Sequence, residues 1–335
     1  MKENKVKKVN ILFIILTGLF LSTTILLLYG LWLNGLNYNP KDELINQVAY
    51  RYNEGMDSYD VVGFGKIESQ NPNHLTKEEA NVVLVDEING KPVKKIANNA
   101  FAHTHINSIV LSKNIEVIGE FAFYQAPLVN IVWNDKITHI YNYAFSQTKL
   151  EELVIPSSVT VIGGNAFEQA SSLSKITFNS NDLLIAPYAF FNCYNLDSVT
   201  FNGNVTLGSY SFALTRLFEI KFKKQAVINQ HAFYNAGSLN MLSFGGKTEI
   251  HDYAFVETKI KYIDLTNVID IGEYSFSPTY VMSVYFPNSN LSFKETSFST
   301  IEIIYYEGDV WEKNTFNSYS VMLKVSHEEF ILLNI

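Results

Sequence analysis

IEVIGEFAFYQAPLVNIVW at 115–133, ITHIYNYAFSQTKLEELVI at 137–155 and VTVIGGNAFEQASSLSKITF at 159–178 are one phrase written three times. Each carries an aliphatic residue five before a Phe, a small residue just before that Phe, and an alternating apolar tail. Working outward, the Phe recurs as Phe101, Phe123, Phe145, Phe167, Phe190, Phe212, Phe233, Phe255, Phe276 and Phe298, at spacings of 21 to 23 residues. Phe316, 18 residues further on, has the form of a truncated eleventh turn. A fixed period of this size predicts a solenoid, because one repeat cannot cover its own apolar stripe and a stack can.

Within the repeat, the apolar position five before the Phe runs Ile96, Ile118, Ile140, Ile162, Ile185 and onward. Ala or Ser before the Phe lets the chain turn beside a buried ring. The alternating tail, as in Leu150, Leu153 and Ile155, has the period of a half-buried strand. The expected fold is a repeat solenoid with one short parallel strand per repeat of about 22 residues. Ten to eleven such repeats at ~4.8 Å each make a slab about 50 Å long. Repeats containing Leu173, Leu196 and Leu239 hold one extra loop residue. The repeat begun by Phe298 is two residues short if Ile301, Ile304 and Tyr306 fill its apolar slots.

The pattern I-x-x-I-x-x-x-A-F-x-x-C/A/T-x-x-L-x-x-I-x-I/F-P resembles the BspA-like leucine-rich repeat (LRR type 5) of bacterial surface proteins. EINGKPVKKIANNAF at 87–101 resembles the start of such an array. The resemblance implies a right-handed β-solenoid over residues 82–316 and a role in surface contact or adhesion. It implies no ligand.

Outside the repeats, residues 1–10 are a basic tail and 11–33 carry no charge, long enough for a single membrane-spanning helix. Four lysines before that segment predict a cytoplasmic N-terminus and an extracellular repeat domain. A cleaved signal peptide is the rival reading, although no small-x-small site ends the segment. Residues 34–81 are expected to be linker and N-terminal cap. Asn39-Pro40 before Asp42 and Glu43 predicts a helix with Leu44, Ile45, Val48, Ala49 and Tyr52 on one face, ended by Gly55. Tyr59–Gly65 has strand character, Thr76 to Glu79 has capping-box spacing, and Asn89-Gly90 signals a tight turn. Residues 317–335 are expected to be a C-terminal cap: a strand at Val321–Val325, then a helix begun by Ser326 with Glu329, closing the apolar end.

Composition narrows the function. Residues 1–33 hold four lysines and one glutamate, so the net charge of −8 leaves −11 on the remainder. With no basic stripe, nucleic acid is not an expected partner. Cys193, the one cysteine, occupies a small buried site and forms no internal disulfide. The seven histidines form no zinc motif, and His103-x-His105 fits a solvated turn. No cofactor or metal is expected. Two columns flank the Phe. Gln125, Gln147, Gln169, Asn192 and Asn235 two after it suggest an amide ladder; Phe121, Tyr143, Tyr188, Tyr210, Tyr253 and Tyr274 two before it pack over the turn or form a carbohydrate-stacking strip.

Outward strand positions follow from alternation. The first repeats present Val110, Val132 and Val154; the last present Tyr262, Asp264, Tyr285 and Tyr305; Glu219 and Lys221 lie between. These last six are the candidate binding patch, with the three tyrosines expected to form an exposed platform. Catalysis would need clustered carboxylates, and Glu152, Glu219 and Asp264 lie in different repeats. The expected function is non-covalent binding of a protein or glycan at the cell surface, without enzymatic activity. The alternatives are an assembly partner for another envelope protein or a carbohydrate-active solenoid enzyme.

Overall fold

The computed structural model describes residues 41–64, 80–287, 291–307 and 321–334. The segment at 11–33, the capping-box spacing at 76–79 and the partial turn at Phe316 lie outside them. Among the described residues no helix is long and apolar enough to cross a membrane.

The chain forms a parallel-strand solenoid of about ten turns. The tails form strands paired in parallel within three successive sheets: Ala80–Val83 to Asn130–Val132, then Glu152–Ile155, Lys175–Phe178, Ser198–Phe201, Glu219–Phe222 and Met241–Phe244, then Tyr262–Asp264 to Val321–Lys324. The expected single strand per repeat is corrected to two. The residue five before the Phe ends a second short strand, and these pair in parallel from Lys91–Ile96 to Ser292–Phe293. Many of them, such as Val117–Ile118 and His139–Ile140, span two residues, too few to show alternation. Their pairing comes from the stack, Ile118 against Ile140 and Ile140 against Ile162.

Between the two strands the Phe turns the chain. Residues two before and two after it hold left-handed backbones, as at Phe121 (φ 55°) and Gln125 (φ 55°), or Tyr143 (φ 56°) and Gln147 (φ 60°). Such a backbone costs a non-glycine residue roughly 1–2 kcal/mol. The compensation is complete use of the amides. Phe121, Phe123 and Gln125 donate to the carbonyls of Asn142, Ala144 and Ser146 in the next turn, at 3.0, 2.8 and 3.0 Å. Ala122, Tyr124 and Ala126 donate back to residues three earlier. The small residue before the Phe is buried between turns, so a larger side chain there would push the turns apart. Thr104, Thr148, Thr215 and Thr258 donate to the carbonyl of their own turn's Phe at 2.7–2.8 Å. At the equivalent place Cys193 lies against the Phe167 carbonyl at 3.0 Å, and burial pushes its thiol up to about 12. It is a protonated core group.

The ten rings from Phe101 to Phe298 stack in one column with centroids 4.8–5.6 Å apart. The one-residue insertions leave the strand register unshifted, with Leu153 opposite Ile176 and Ile176 opposite Val199. The two-residue deletion after Phe298 is absorbed by an irregularity between Phe276 and Tyr280, after which Val281 faces Ile301 and Val284 faces Ile304.

The N-terminal cap is a hairpin, not the expected helix. Glu43–Ile45, Val48–Asn53 and Ser58–Phe64 are antiparallel strands that join the short-strand sheet beside Lys91–Ile96. Asn46 and Gln47, both at positive φ, make the tight turn between the first two. A helix would have buried Leu44 and Tyr52 together; the strands leave both exposed and put Val48 and Tyr50 into the core. Asp42, expected in a first helical turn, instead accepts two hydrogen bonds from the Arg51 guanidinium, each 2.9 Å. Gly63 sits at φ 125° where a Cβ would meet the Ala100 carbonyl oxygen, so only glycine brings this strand against the first turn. Phe64 then closes the ring column edge-on against Phe101 at 5.2 Å. The Asn89-Gly90 turn forms as expected, joining Glu87–Ile88 to Lys91–Ile96.

Candidate functional site

The tail strands direct alternate side chains outward, as expected. In the first half these are valines, Val83, Val110 and Val132 in one sheet and Val154 at the equivalent place on the first strand of the next, exposed by 37 to 62%. Val83 is opposite Val110 and Val110 opposite Val132 in the strand register. In the middle, Lys221 Nζ lies 2.7 Å from Glu219 Oε1 across the same face.

The C-terminal half differs from expectation. Tyr262 is 38% exposed, but Tyr285 and Tyr305 are only 1% and 6% exposed. They point away from the solenoid core, yet the helix His327–Asn334 lies over them. Phe330 of that helix packs against Tyr285 at 5.1 Å and Tyr305 at 5.3 Å between centroids. His327 Nε2 is 2.6 Å from Asp264 Oδ2. The Tyr285 hydroxyl donates to Glu307 at 2.8 Å, and burial together with that carboxylate pushes its pKa up. The exposed tyrosine platform is therefore corrected: alternation sets the direction of a side chain and not what lies above it. Register separates the patch as well. Asp264, Tyr285, Tyr305 and Leu323 make one row, while Tyr262 is aligned with Ser283, Ile303 and Val321.

The helix itself begins as its sequence predicts. The Ser326 amide donates to Glu329 Oε2 at 2.8 Å, and the Glu329 amide donates to Ser326 Oγ at 3.3 Å. It does not close the end of the stack; it folds back over the outer strand face. Its partner strand, Val321–Lys324, extends the tail sheet beside Phe298–Tyr306.

At the turns, the residues two before the Phe form stacked columns. Phe121 lies on Tyr143 at 4.7 Å. Tyr188, Tyr210, His231, Tyr253 and Tyr274 form a five-ring pile with centroids 4.7–5.2 Å apart. Asn165 interrupts the two runs. Sugars stack on ring faces, and here each inner face is already covered by the next ring, which argues against a carbohydrate-stacking strip. Of the amide ladder, one side-chain rung joins Gln125 to Gln147 at 2.9 Å. What the column shares throughout is its left-handed backbone, φ 50–60° from His103 to Glu257.

His231 inside the pile was not expected from sequence, since an imidazole does not match the tyrosine pattern. Its Nδ1 is buried without a hydrogen-bond partner, and burial pulls its pKa down; burial does the same to His103. The unfolded chain therefore takes up protons first as pH falls. Stability from these residues is full above the ordinary histidine value of about 6.5 and declines as pH drops through it. His231→Tyr, which completes the pile, is expected to flatten the fall in melting temperature between pH 7 and 5. An unchanged slope would contradict the neutral stacked imidazole.

A second face went unrecognised in the sequence because the second strand did. Both described grooves lie on it. One of about 460 Å³ is lined by Asp182, Leu184, Asn204, Gln225, Lys247 and Glu249. The other, about 370 Å³, is lined by Asp60, Lys94, Lys95, Glu116 and Glu120. The residue before each core isoleucine, Lys95, Val117, His139 or Val161, was the available signal. Among the described residues no group of His, Cys, Asp or Glu could hold a metal ion.

The family model described as BspA type leucine-rich repeat region matches in six copies, over residues 94–217 and 205–320. The chain belongs to this BspA-type leucine-rich repeat family. No curated protein matches it. Among solved structures it is similar to a leucine-rich repeat protein from Bacteroides ovatus, with 19% identity, TM-score 0.50, 84% of this chain and 76% of that one covered. It is also similar to the pneumococcal vaccine antigen PcpA, with 17% identity, TM-score 0.46, and 85% and 99% covered. A T. pallidum leucine-rich repeat protein matches at 22% identity and TM-score 0.45, over 56% of this chain and 86% of that one. In this BspA-type repeat chain the Phe column and its flanking turns form the inner framework, while the valines and the helix-covered tyrosines lie on the outer face.

Proposed function

We propose that the chain is a non-catalytic recognition solenoid, held at the outer side of the cell membrane by residues 11–33, that binds a protein or glycan through its tail-strand face. The observation that supports this most is the run of valines, Val83, Val110, Val132 and Val154, left open on consecutive turns of an acidic protein. A run of exposed apolar side chains favours a partner surface, and parallel pairing holds Val83, Val110 and Val132 in register before binding. The carboxylates argue against glycoside cleavage. Glu152 and Glu219 are three strands apart in register, about 14 Å, beyond the roughly 5–9.5 Å that paired catalytic carboxylates require. Glu219 is paired with Lys221, and Asp264 is engaged by His327 and Thr266.

Two measurements test the reading. Protease added to intact cells is expected to remove the chain beyond about residue 35; full protection would refute outward display. The fragment 37–335 is then offered to matrix proteins, a glycan array and the cell's own envelope fraction. Val132→Asp with Val154→Asp is expected to abolish capture while leaving the melting temperature near normal, because both side chains face solvent. Capture that survives the double change would refute the valine face. Capture by the envelope fraction alone would assign an assembly role instead.

A further inference from the structure

Among the described residues, the terminal helix meets the outer face through Phe330 and His327. Of its apolar side chains only Phe330 is buried, while Ile331, Leu332 and Leu333 are 39, 79 and 62% exposed. Its eight residues are too few to be a stable helix alone. What it covers is, by contrast, well built. Tyr285 and Tyr305 form an aromatic seat, with Ile303 and Val325 packed against the same cluster. Asp264 stands at one edge of the seat, taking His327, and Glu307 at another, taking the Tyr285 hydroxyl. The seat thus accepts one aromatic ring and, one helical turn before it, one basic group.

We infer that this seat is a docking surface for a helical segment of a partner protein that carries an aromatic side chain three residues after a basic one, and that the chain's own C-terminal helix fills it until that partner displaces it. The inference rests on the recognition reading above and adds a second, guarded surface to it. A basic, aromatic partner segment is what the chemistry selects. Asp264 and Glu307 attract cations, and residues 3 apart on a helix share one face. Displacement gives up the Phe330 ring contacts and the His327–Asp264 hydrogen bond, while Ile331, Leu332 and Leu333 are exposed already. A covered site weakens the apparent affinity of any competitor by the fraction of chains that are open.

The probe is the synthetic peptide Ser326–Ile335, tested on the full chain. With Phe330→Ala in the chain, its own helix loses its anchor, and the wild-type peptide is expected to bind one-to-one, at least about tenfold tighter than to the wild-type chain. A peptide carrying Phe330→Ala should not bind. Adding Asp264→Asn to the opened chain should weaken the wild-type peptide several-fold. Equal binding to the wild-type and opened chains would overturn the inference. So would no binding to an opened chain whose repeats melt normally. If Phe330→Ala disturbs folding, a chain ending at Val325 serves with the same probe and the same outcomes. Reversible dimerisation of the wild-type chain that is lost with Phe330→Ala would also overturn it, assigning the seat to a second copy. Because the probe is this chain's own segment, its failure leaves the valine-face result untouched, and failure of the valine face leaves the probe result untouched.

Discussion

Phe145→Ala is expected to lower the free energy of unfolding by about 3–5 kcal/mol. The ring is fully buried, stacked at 5.1 Å between Phe123 and Phe167, with the edge of Trp133 at 5.8 Å. The alanine keeps the turn, since the Phe145 amide still reaches the Ala166 carbonyl and Thr148 still donates to the Phe145 carbonyl. The loss is therefore of packing, and the hole does not refill easily because each neighbouring ring is pinned by its own turn. In a solenoid the damage stays local before it becomes global. Amide exchange should rise first between Phe123 and Phe167. Phe298→Ala is the internal control: that ring, the last of the column among the described residues, is only partly buried and should cost less. A change at Phe145 below about 1 kcal/mol in reversible unfolding would contradict the column.

Tyr285→Ala is expected to destabilise by about 3–4 kcal/mol, whereas Tyr262→Ala should change stability by less than about 1 kcal/mol. Both residues occupy outward positions of neighbouring tail strands. The difference is the cover. Tyr285 loses contact with Phe330 and His327 and its hydrogen bond to Glu307, leaving a carboxylate without that donor. Tyr262 has no such lid. Denaturant unfolding of the two variants side by side checks this. Equal stabilities would mean that the helix does not rest on Tyr285 in solution, and would also remove the basis of the docking seat. The tyrosines cannot be used together as a stability-neutral probe of binding, as an all-exposed platform would allow.

The legibility of this chain varies with how often a signal repeats. The Phe column, the small residue before it and the tail strands were readable because ten copies in phase leave one way to bury the stripe. The caps occur once and were read less well. The 39–55 segment carries helix-start residues, yet Asn46 and Gln47 turn it into a hairpin, because Tyr50 and Val48 find a core edge that only the first solenoid turn provides. The second strand was missed for a different reason. Two residues such as Val117–Ile118 carry no period, and their pairing depends entirely on neighbours 22 residues away.

By itself, then, the sequence determined the repeat phase, the inward and outward sense of each tail residue, and the Ser326–Glu329 start of the last helix. All three are local or periodic, written in nearest-neighbour chemistry. Only the tertiary structure decided which outward residues meet solvent. Val132 and Tyr285 follow the same alternation and end in opposite environments, because a segment more than forty residues beyond Tyr285 in the chain folds back over one and not the other. Burial of an outward side chain is a property of what is placed above it, and alternation within a strand contains no information about that placement.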